Sequence, residues 1–216
     1  VIALTEAASD QDHLHLIVDC NPKVPNRNLA IAGRGPSPAA ELAAMARRLE
    51  RAGAELLVMP CNTAHAYAAE IRAAATVPFV SIIEETMAEV RRRGEGRRIG
   101  LLTAGGCRTA GLYERALVAE DLQPVSLDDE QQRRFMELLY AIKAGRRDAN
   151  LAVAMRTLAL ELIERGAELV IAGCTEVPLV LREGDLPHPL IDSTAVLAAA
   201  TVAYAKRRRP LPAAPA

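Results

Sequence analysis

Two stretches of the chain repeat one another. GAELLVMPC at 53–61 and GAELVIAGC at 166–174 agree in register at Gly, Ala, Glu, Leu and Cys, with apolar residues between them. Each stretch follows an amphipathic helical pattern that ends in Glu-Arg, and each is followed by a polar pair and a Pro-containing apolar run, VPFVSI or HPLIDS. A repeated helix–strand–Cys unit indicates a fold made of two related α/β halves.

Short apolar runs alternate with helical patterns along the whole chain. The apolar runs lack strict alternation with polar residues, which is typical of strands covered on both faces, and they predict strands at 15–20, 55–59, 79–82, 98–103, 124–127, 168–172 and 189–191. Predicted helices include 39–52, 131–144 and one that Asp148 caps and Gly166 ends. The pattern predicts an α/β fold with two pseudo-symmetric Rossmann-like domains, mainly parallel sheets and an active site in the cleft between them.

The domain boundaries follow from a charged, Gly-containing stretch, RRRGEGRR at 91–98, which predicts the crossing between the halves. We assign residues 1–97 with 194–216 to the first domain, which holds Cys61, and residues 98–193 to the second, which holds Cys174. The tail KRRRPLPAAPA from Lys206 is expected to be loose because it cannot pack a core.

The composition and the cysteine spacing argue against several classes of function. Lys plus Arg (26) nearly equals Asp plus Glu (27), so no net charge favours nucleic acid or a membrane surface as a partner. The chain has no Trp, no apolar run long enough to cross a bilayer and no signal-like start, and we predict a cytoplasmic protein. The four cysteines lie far apart without a CxxC pair, which gives little support to a metal site or a disulfide framework: Cys20, Cys61, Cys107 and Cys174.

The two repeat cysteines, Cys61 and Cys174, stand where predicted strands end, which is where ligands bind in open α/β sheets. A helix that starts just after a Cys stabilises its thiolate, and two facing thiols can act as general base and general acid on opposite faces of one carbon atom. The alternative is a small core residue, which is the more common role of a lone buried Cys. Matching positions in a repeat favour the catalytic interpretation.

At this point the motifs resemble those of a known family. PCNTAH (60–65) and GCTE (173–176) resemble the two cysteine signatures of the aspartate/glutamate racemases, which need no pyridoxal phosphate or other cofactor. DQDH (10–13), NPKVPNR (21–27), YAIKAG (140–145) and LIDS (190–193) are similar to further family segments, in the same order. Because the second signature reads Cys-Thr-Glu rather than Cys-Thr-His, the aspartate racemase branch is favoured over the glutamate racemases.

The resemblance implies a function and a set of site residues. It implies inversion of Cα of aspartate, or of glutamate, by a homodimeric enzyme with Cys61 and Cys174 as its acid/base pair. It also implies Arg27 and Lys143 as cations near the substrate. From their chemistry and their places beside the two cysteines, we expect Asn62, Thr63 and Thr175 to donate hydrogen bonds to the substrate carboxylate, with His65 and Glu176 behind them. Four of these residues have a structural alternative: a solvated Arg27, a Lys143 that favours a helix dipole, a His65 in a buried hydrogen bond and a Glu176 that caps its own helix.

The chain also departs from the family pattern. The Gly-rich strand and helix that normally precede DQDH have no counterpart in the residues before Asp10, so we expect an uncovered sheet edge and an open cleft wall. Asn26, Ala104 and Cys107 stand where the family commonly has Asp, Thr and Thr. Two alternative functions therefore stay open: a related Cys-dependent isomerase or decarboxylase of small dicarboxylates, and a non-catalytic carboxylate-binding protein.

Overall fold

A computed structural model describes residues 1–212, which form two parallel β-sheets with helices packed on them. The chain is an α/β protein, as the sequence predicts. The strands are β1 (Leu57–Val58), β2 (Phe79–Val80), β3 (Arg98–Thr103), β4 (Gln123–Ser126), β5 (Leu169–Gly173) and β6 (Leu190–Asp192). The α-helices are α1 (Arg27–Ile31), α2 (Ala39–Arg51), α3 (Ala68–Ala74), α4 (Ile82–Arg93), α5 (Gly105–Thr109), α6 (Leu112–Val118), α7 (Asp129–Lys143), α8 (Ala149–Glu164) and α9 (Ser193–Ala205).

The first sheet is the smaller one and pairs β1 with β2. Helices α2 and α3 pack on it through a core that includes Leu42, Ile71 and Phe79. This small unit carries Cys61 at the carboxyl end of β1.

The second sheet has the order β4-β3-β5-β6 and is parallel throughout. Alternate side chains along its strands enter two different cores. Leu102 and Val170 face α7 and α8, whereas Leu101 and Ile171 face α4, α6 and α9. Coverage on both faces explains why these strands read as continuous apolar runs.

The internal repeat is visible in the strand register. Leu57 pairs with Phe79 in the first sheet, and the equivalent residues of the second copy, Val170 and Leu190, pair in the second sheet. The helix that follows each pair is capped from the same position, because the side chain of Ser81 accepts from the N–H of Glu84 and that of Asp192 accepts from the N–H groups of Thr194 and Ala195. The two capped helices, α4 and α9, pack against each other.

The predicted strand at 15–20 is wrong. Within residues 1–212 this segment pairs with no strand, and Asp19 is instead tied to helix α2 by an ion pair with Arg48 at 2.9 Å. Leu16 and Val18 are exposed along it. An apolar run has strand propensity, but a strand also needs a partner with unpaired backbone groups.

The other predicted elements agree with the structure to within a few residues. Helix α7 begins earlier than predicted because Asp128 caps it and exchanges hydrogen bonds with Gln131. The predicted cap of α8 is confirmed, since the Asp148 side chain accepts from the N–H of Leu151. The predicted domain boundaries fall just before β3 and at the start of α9, and the domain division itself stays a prediction.

The start of the basic tail is not loose. Arg209 donates to the buried carboxylate of Glu85 at 2.7 Å and lies over the ring of Tyr204, while Arg208 pairs with Glu6. The last part of the predicted loose tail, 213–216, lies outside the described residues. In the part of the chain that the structure covers, every helix is too short or too polar to cross a membrane.

Candidate active site

A cavity of about 310 Å³ contains both repeat cysteines in its walls. It opens where β1 and β5 end and where α1 and α7 approach those ends. Of the residues predicted for the site, the cavity brings together Arg27, Cys61, Asn62, Thr63, Lys143, Cys174, Thr175 and Glu176. Its remaining walls are Asn26, Asn28, Ala104 and an apolar group formed by Pro22, Val24, Met136, Leu139 and Tyr140.

Each cysteine is followed by a short 3-10 turn rather than by the expected α-helix. The turn after Cys61 spans Thr63–Tyr67 and the one after Cys174 spans Val177–Leu179. The segment after Cys61 continues directly into α3, whereas the segment after Cys174 is a single isolated turn, which aligns few peptide dipoles and stabilises a thiolate less than a long helix would. Both sulfur-bearing residues are half-buried.

The thiol of Cys174 donates a hydrogen bond to Glu176, with 2.9 Å between Sγ and Oε2. The other carboxylate oxygen of Glu176 forms an ion pair with Lys143, and the Thr175 hydroxyl also donates to Glu176 at 3.1 Å. Burial raises the pKa of Cys174, and the adjacent Glu176 charge raises it further. Cys174 is therefore a protonated thiol at neutral pH.

The carboxylate of Glu176 is ionised for a related reason. Burial alone would raise the pKa of Glu176, but the hydrogen bonds from Cys174 and Lys143 outweigh burial and leave its pKa below the ordinary value. Lys143, which the sequence predicts as a substrate cation, is thus already paired inside the protein.

The side chain of Asn62 connects the two units. Its Oδ1 accepts from the Tyr113 hydroxyl at 2.6 Å, and its Nδ2 donates to Ser193 Oγ at 3.2 Å. Ser193 in turn donates to the carbonyl of Ala172 on β5 at 2.8 Å. Each end of the amide has a partner within the protein, so the donors of Asn62 that remain for a substrate are its second Nδ2 hydrogen and its backbone N–H.

His65 lies behind Cys61 and does not line the cavity. Its Nδ1 is 2.9 Å from the carbonyl of Cys61, and its Nε2 accepts from the N–H of Ile82 at 3.1 Å. Since Nε2 accepts, Nδ1 carries the proton and donates. Burial lowers the pKa of His65 from 6.5 to about 4, which fixes the neutral ring as a link between the Cys61 turn and the start of α4.

Arg27 lies half-buried in the cavity wall at the start of α1. Its guanidinium donates to the carbonyl of Pro25 at 3.2 Å, and among residues 1–212 no carboxylate lies within ion-pair distance of it. The neighbouring Asn26 caps α1 by accepting from the N–H groups of Asn28 and Leu29. Arg27 can therefore offer its remaining donors to an anionic group in the cavity.

Three residues of the site were not found by sequence reasoning. Tyr113 and Ser193 hold Asn62, and Asn28 accepts from the N–H of Gly106 at 2.7 Å. Ser193 belongs to the LIDS segment, so the sequence identified the motif that contains it but not its hydrogen bond to Asn62. No neighbouring sequence pattern marks Tyr113 or Asn28 as a residue of the site.

Cys107 is fully buried in the core that α4, α6 and α9 share, and burial raises its pKa. It is a neutral thiol that fills space. The described residues contain no group of three or more His, Cys, Asp or Glu side chains placed to hold a metal ion.

Fold and site together define an α/β protein with a polar cavity between two related units and one cysteine from each unit in its wall. The family model for Asp/Glu/hydantoin racemases matches residues 1–201, and the chain belongs to this family.

Individual relatives agree with the family assignment. The chain is 34% identical over 155 residues to the broad specificity amino-acid racemase RacX of Bacillus subtilis, a match that covers 72% of this chain and 66% of that protein. Picrophilus torridus aspartate racemase superimposes with a TM-score of 0.81 at 25% identity and covers 95% of this chain and 85% of its own. An aspartate racemase homologue from Pyrococcus horikoshii gives a TM-score of 0.68 at 29% identity over 81% and 75% of the two chains.

Proposed function

We propose that this protein is an amino-acid racemase that inverts Cα by two-base proton transfer without pyridoxal phosphate. The observation that carries the proposal is the presence of Cys61 and Cys174, equivalent residues of an internal repeat, in the wall of one cavity. Family membership and the named activities of the relatives support it.

The reaction needs one thiolate and one thiol. The thiolate removes the proton from Cα, forming an S–H bond while the electron pair of the broken C–H bond moves into the α-carboxylate. The thiol on the opposite face then gives its proton to the same carbon and becomes the thiolate. The product is the mirror-image amino acid, and the two sulfurs have exchanged protonation states.

The negative charge that develops on the α-carboxylate is stabilised by cations and hydrogen-bond donors. Arg27 is suited to this role because a planar guanidinium can bind a carboxylate with two parallel hydrogen bonds. Thr63 and Thr175 line the cavity and can add donors. Lys143 can reach a second carboxylate if a substrate competes with Glu176 for it.

We propose aspartate as the first substrate to test and glutamate as the second. The Cys-Thr-Glu form of the second signature supports this order, as does the similarity to the aspartate racemase of P. torridus. A homodimeric assembly is proposed on the family resemblance alone.

The test is incubation of L-aspartate with the protein in heavy water. We expect D-aspartate carrying deuterium at Cα, detected by chiral chromatography and mass spectrometry. Cys61→Ala and Cys174→Ala should each lower the rate at least about 100-fold, the contribution of a positioned acid or base. Cys20→Ser is the matched control, because Cys20 is exposed and away from the cavity.

Absence of racemisation with aspartate, glutamate and a panel of other amino acids would refute the proposal. If aspartate nevertheless raised the melting temperature, and did so equally in both alanine variants, the protein would be a carboxylate-binding member of the family without catalysis.

A further inference from the structure

The residue two positions after each repeat cysteine differs between the two copies. In the first copy this residue is Thr63, and in the second copy it is Glu176. The two copies share strand register and helix-cap positions, and both side chains line the cavity. Two otherwise similar halves therefore present an uncharged residue on one side and a carboxylate on the other.

The carboxylate is directed at one sulfur. Glu176 Oε2 lies 2.9 Å from Cys174 Sγ, whereas no side chain of residues 1–212 forms a hydrogen bond with the sulfur of Cys61. The ion pair of Glu176 with Lys143 keeps the carboxylate charged and held in place. An ionised carboxylate only accepts hydrogen bonds, so this contact requires the thiol form of Cys174.

We infer that Glu176 is a positioning residue that holds the proton on Cys174 in the free protein, which leaves Cys61 to take the first proton from a substrate. The inference rests on the proposed racemase function and adds which of the two cysteines acts first as the base. Without Glu176 the two thiols would be closer to equivalent.

The other titratable groups around Cys174 do not oppose this assignment. Cys107 on α5 and Tyr113 on α6 are buried, and burial raises the pKa of each, so both are neutral at neutral pH. Lys143 on α7 favours the thiolate of Cys174 but is paired with Glu176. Loss of the Cys174 proton would bring two negative charges together beside the cavity.

Unequal sulfurs have a kinetic consequence. The equilibrium constant of a racemisation is one, so kcat/KM must be equal for the two enantiomers. The two kcat values need not be equal. They differ when proton transfer is the rate-limiting step and one protonation state of the two cysteines is favoured. We therefore expect unequal kcat values with KM values in the same ratio, and we expect Glu176→Gln to bring the two kcat values together.

The deciding measurement does not depend on catalysis. The full chain is treated with iodoacetamide from pH 6 to pH 10, and the alkylation rate of each cysteine is followed by peptide mass spectrometry. In the wild type, Cys174 should become reactive at a higher pH than the exposed Cys20, because only thiolates react. Glu176→Gln should speed alkylation of Cys174 by about tenfold or more at neutral pH, since a contacting charge changes a pKa by at least about 1. Glu183→Gln, which changes a carboxylate that pairs with Arg93 at the surface, is the matched control.

The outcomes separate the two proposals. An unchanged Cys174 rate in Glu176→Gln, or a wild-type profile in which Cys174 and Cys20 titrate together, overturns the inference even if the protein racemises amino acids. If Glu176→Gln does not fold, a wild-type profile in which Cys174 and Cys20 react over the same pH range still overturns the inference. The expected alkylation pattern without any racemisation would leave the Glu176 contact in place and remove the racemase proposal.

Discussion

Replacing His65 with glutamine is expected to change how the stability of the protein depends on pH. The imidazole is buried, donates to the carbonyl of Cys61 and accepts from the N–H of Ile82. Its ring also stacks on Phe79, with 5.4 Å between the ring centroids. Glutamine keeps a polar group of similar length but cannot titrate.

The size of the effect follows from the pKa of His65, which burial lowers from 6.5 to about 4. In the unfolded chain the imidazole takes up a proton below pH 6.5, whereas in the folded protein it stays neutral until about pH 4. The free energy of unfolding of the wild type therefore falls as the pH falls through this window, by about 3 kcal/mol in all. About 2 kcal/mol of this is lost between pH 7 and pH 5.

The variant is expected to be less stable than the wild type at pH 7 by about 1–3 kcal/mol, because one carboxamide group cannot serve both the carbonyl of Cys61 and the N–H of Ile82, which leaves a buried backbone group unpaired. The difference between the two proteins should then shrink by about 2 kcal/mol on going to pH 5, since only the wild type carries the His65 penalty. Urea unfolding followed by far-ultraviolet circular dichroism at pH 7, 6 and 5 measures both quantities.

The exposed His13 supplies the matched control, because His13→Gln removes a histidine without removing a buried hydrogen bond. That variant should keep the wild-type pH dependence between pH 7 and 5. A stability difference between wild type and His65→Gln that stays constant from pH 7 to 5 would show that His65 is not held neutral by burial, and the role assigned to it as a neutral link would be wrong.

Three further substitutions test the framework of the site. Tyr113→Phe removes the hydroxyl that holds the amide bridge between the units and should cost about 1–3 kcal/mol in chemical denaturation. Gly106→Ala would place its methyl group 2.6 Å from Asn28 Oδ1 and should lower the racemisation rate, whereas Gly105→Ala, whose methyl group would lie 3.9 Å from Met136 Sδ, should not. Asp148→Ala removes the cap of α8 and should lower the free energy of unfolding by about 1 kcal/mol without changing KM.

Local pattern was enough to predict the repeated elements. The shared letters of the two GAEL stretches predicted two equivalent strands, and the structure gives them the same register. Asp148 and the helix after it were predicted because capping depends on residues three positions apart. The apolar run at 15–20 also has a local strand pattern, but the strand prediction for it is wrong. A strand needs a partner strand, and the partner is not determined by the neighbouring residues in the sequence.

The sequence predicted which residues lie at the site better than it predicted the contacts that their side chains make. Motif resemblance selected Asn62, but its partners Tyr113 and Ser193 are 51 and 131 residues away in the chain. Nothing near Asn62 in the sequence shows that its amide is used inside the protein. Lys143 is a similar case, since its ion pair with Glu176 spans 33 residues.

Because the two strand pairs share the same register, equivalent segments of the two copies have matching backbone hydrogen bonds and could replace one another. The segments 77–82 and 188–193 each provide a paired strand and then a helix cap, so exchanging them would preserve ladders and caps and would demand only new side-chain packing. The residues just after each cysteine cannot be exchanged in the same way, because Asn62 bridges the units and Glu176 holds a thiol. The repeat thus gives the two halves a common backbone frame in these segments, and the residues just after each cysteine give the two sides of the cavity different chemistry.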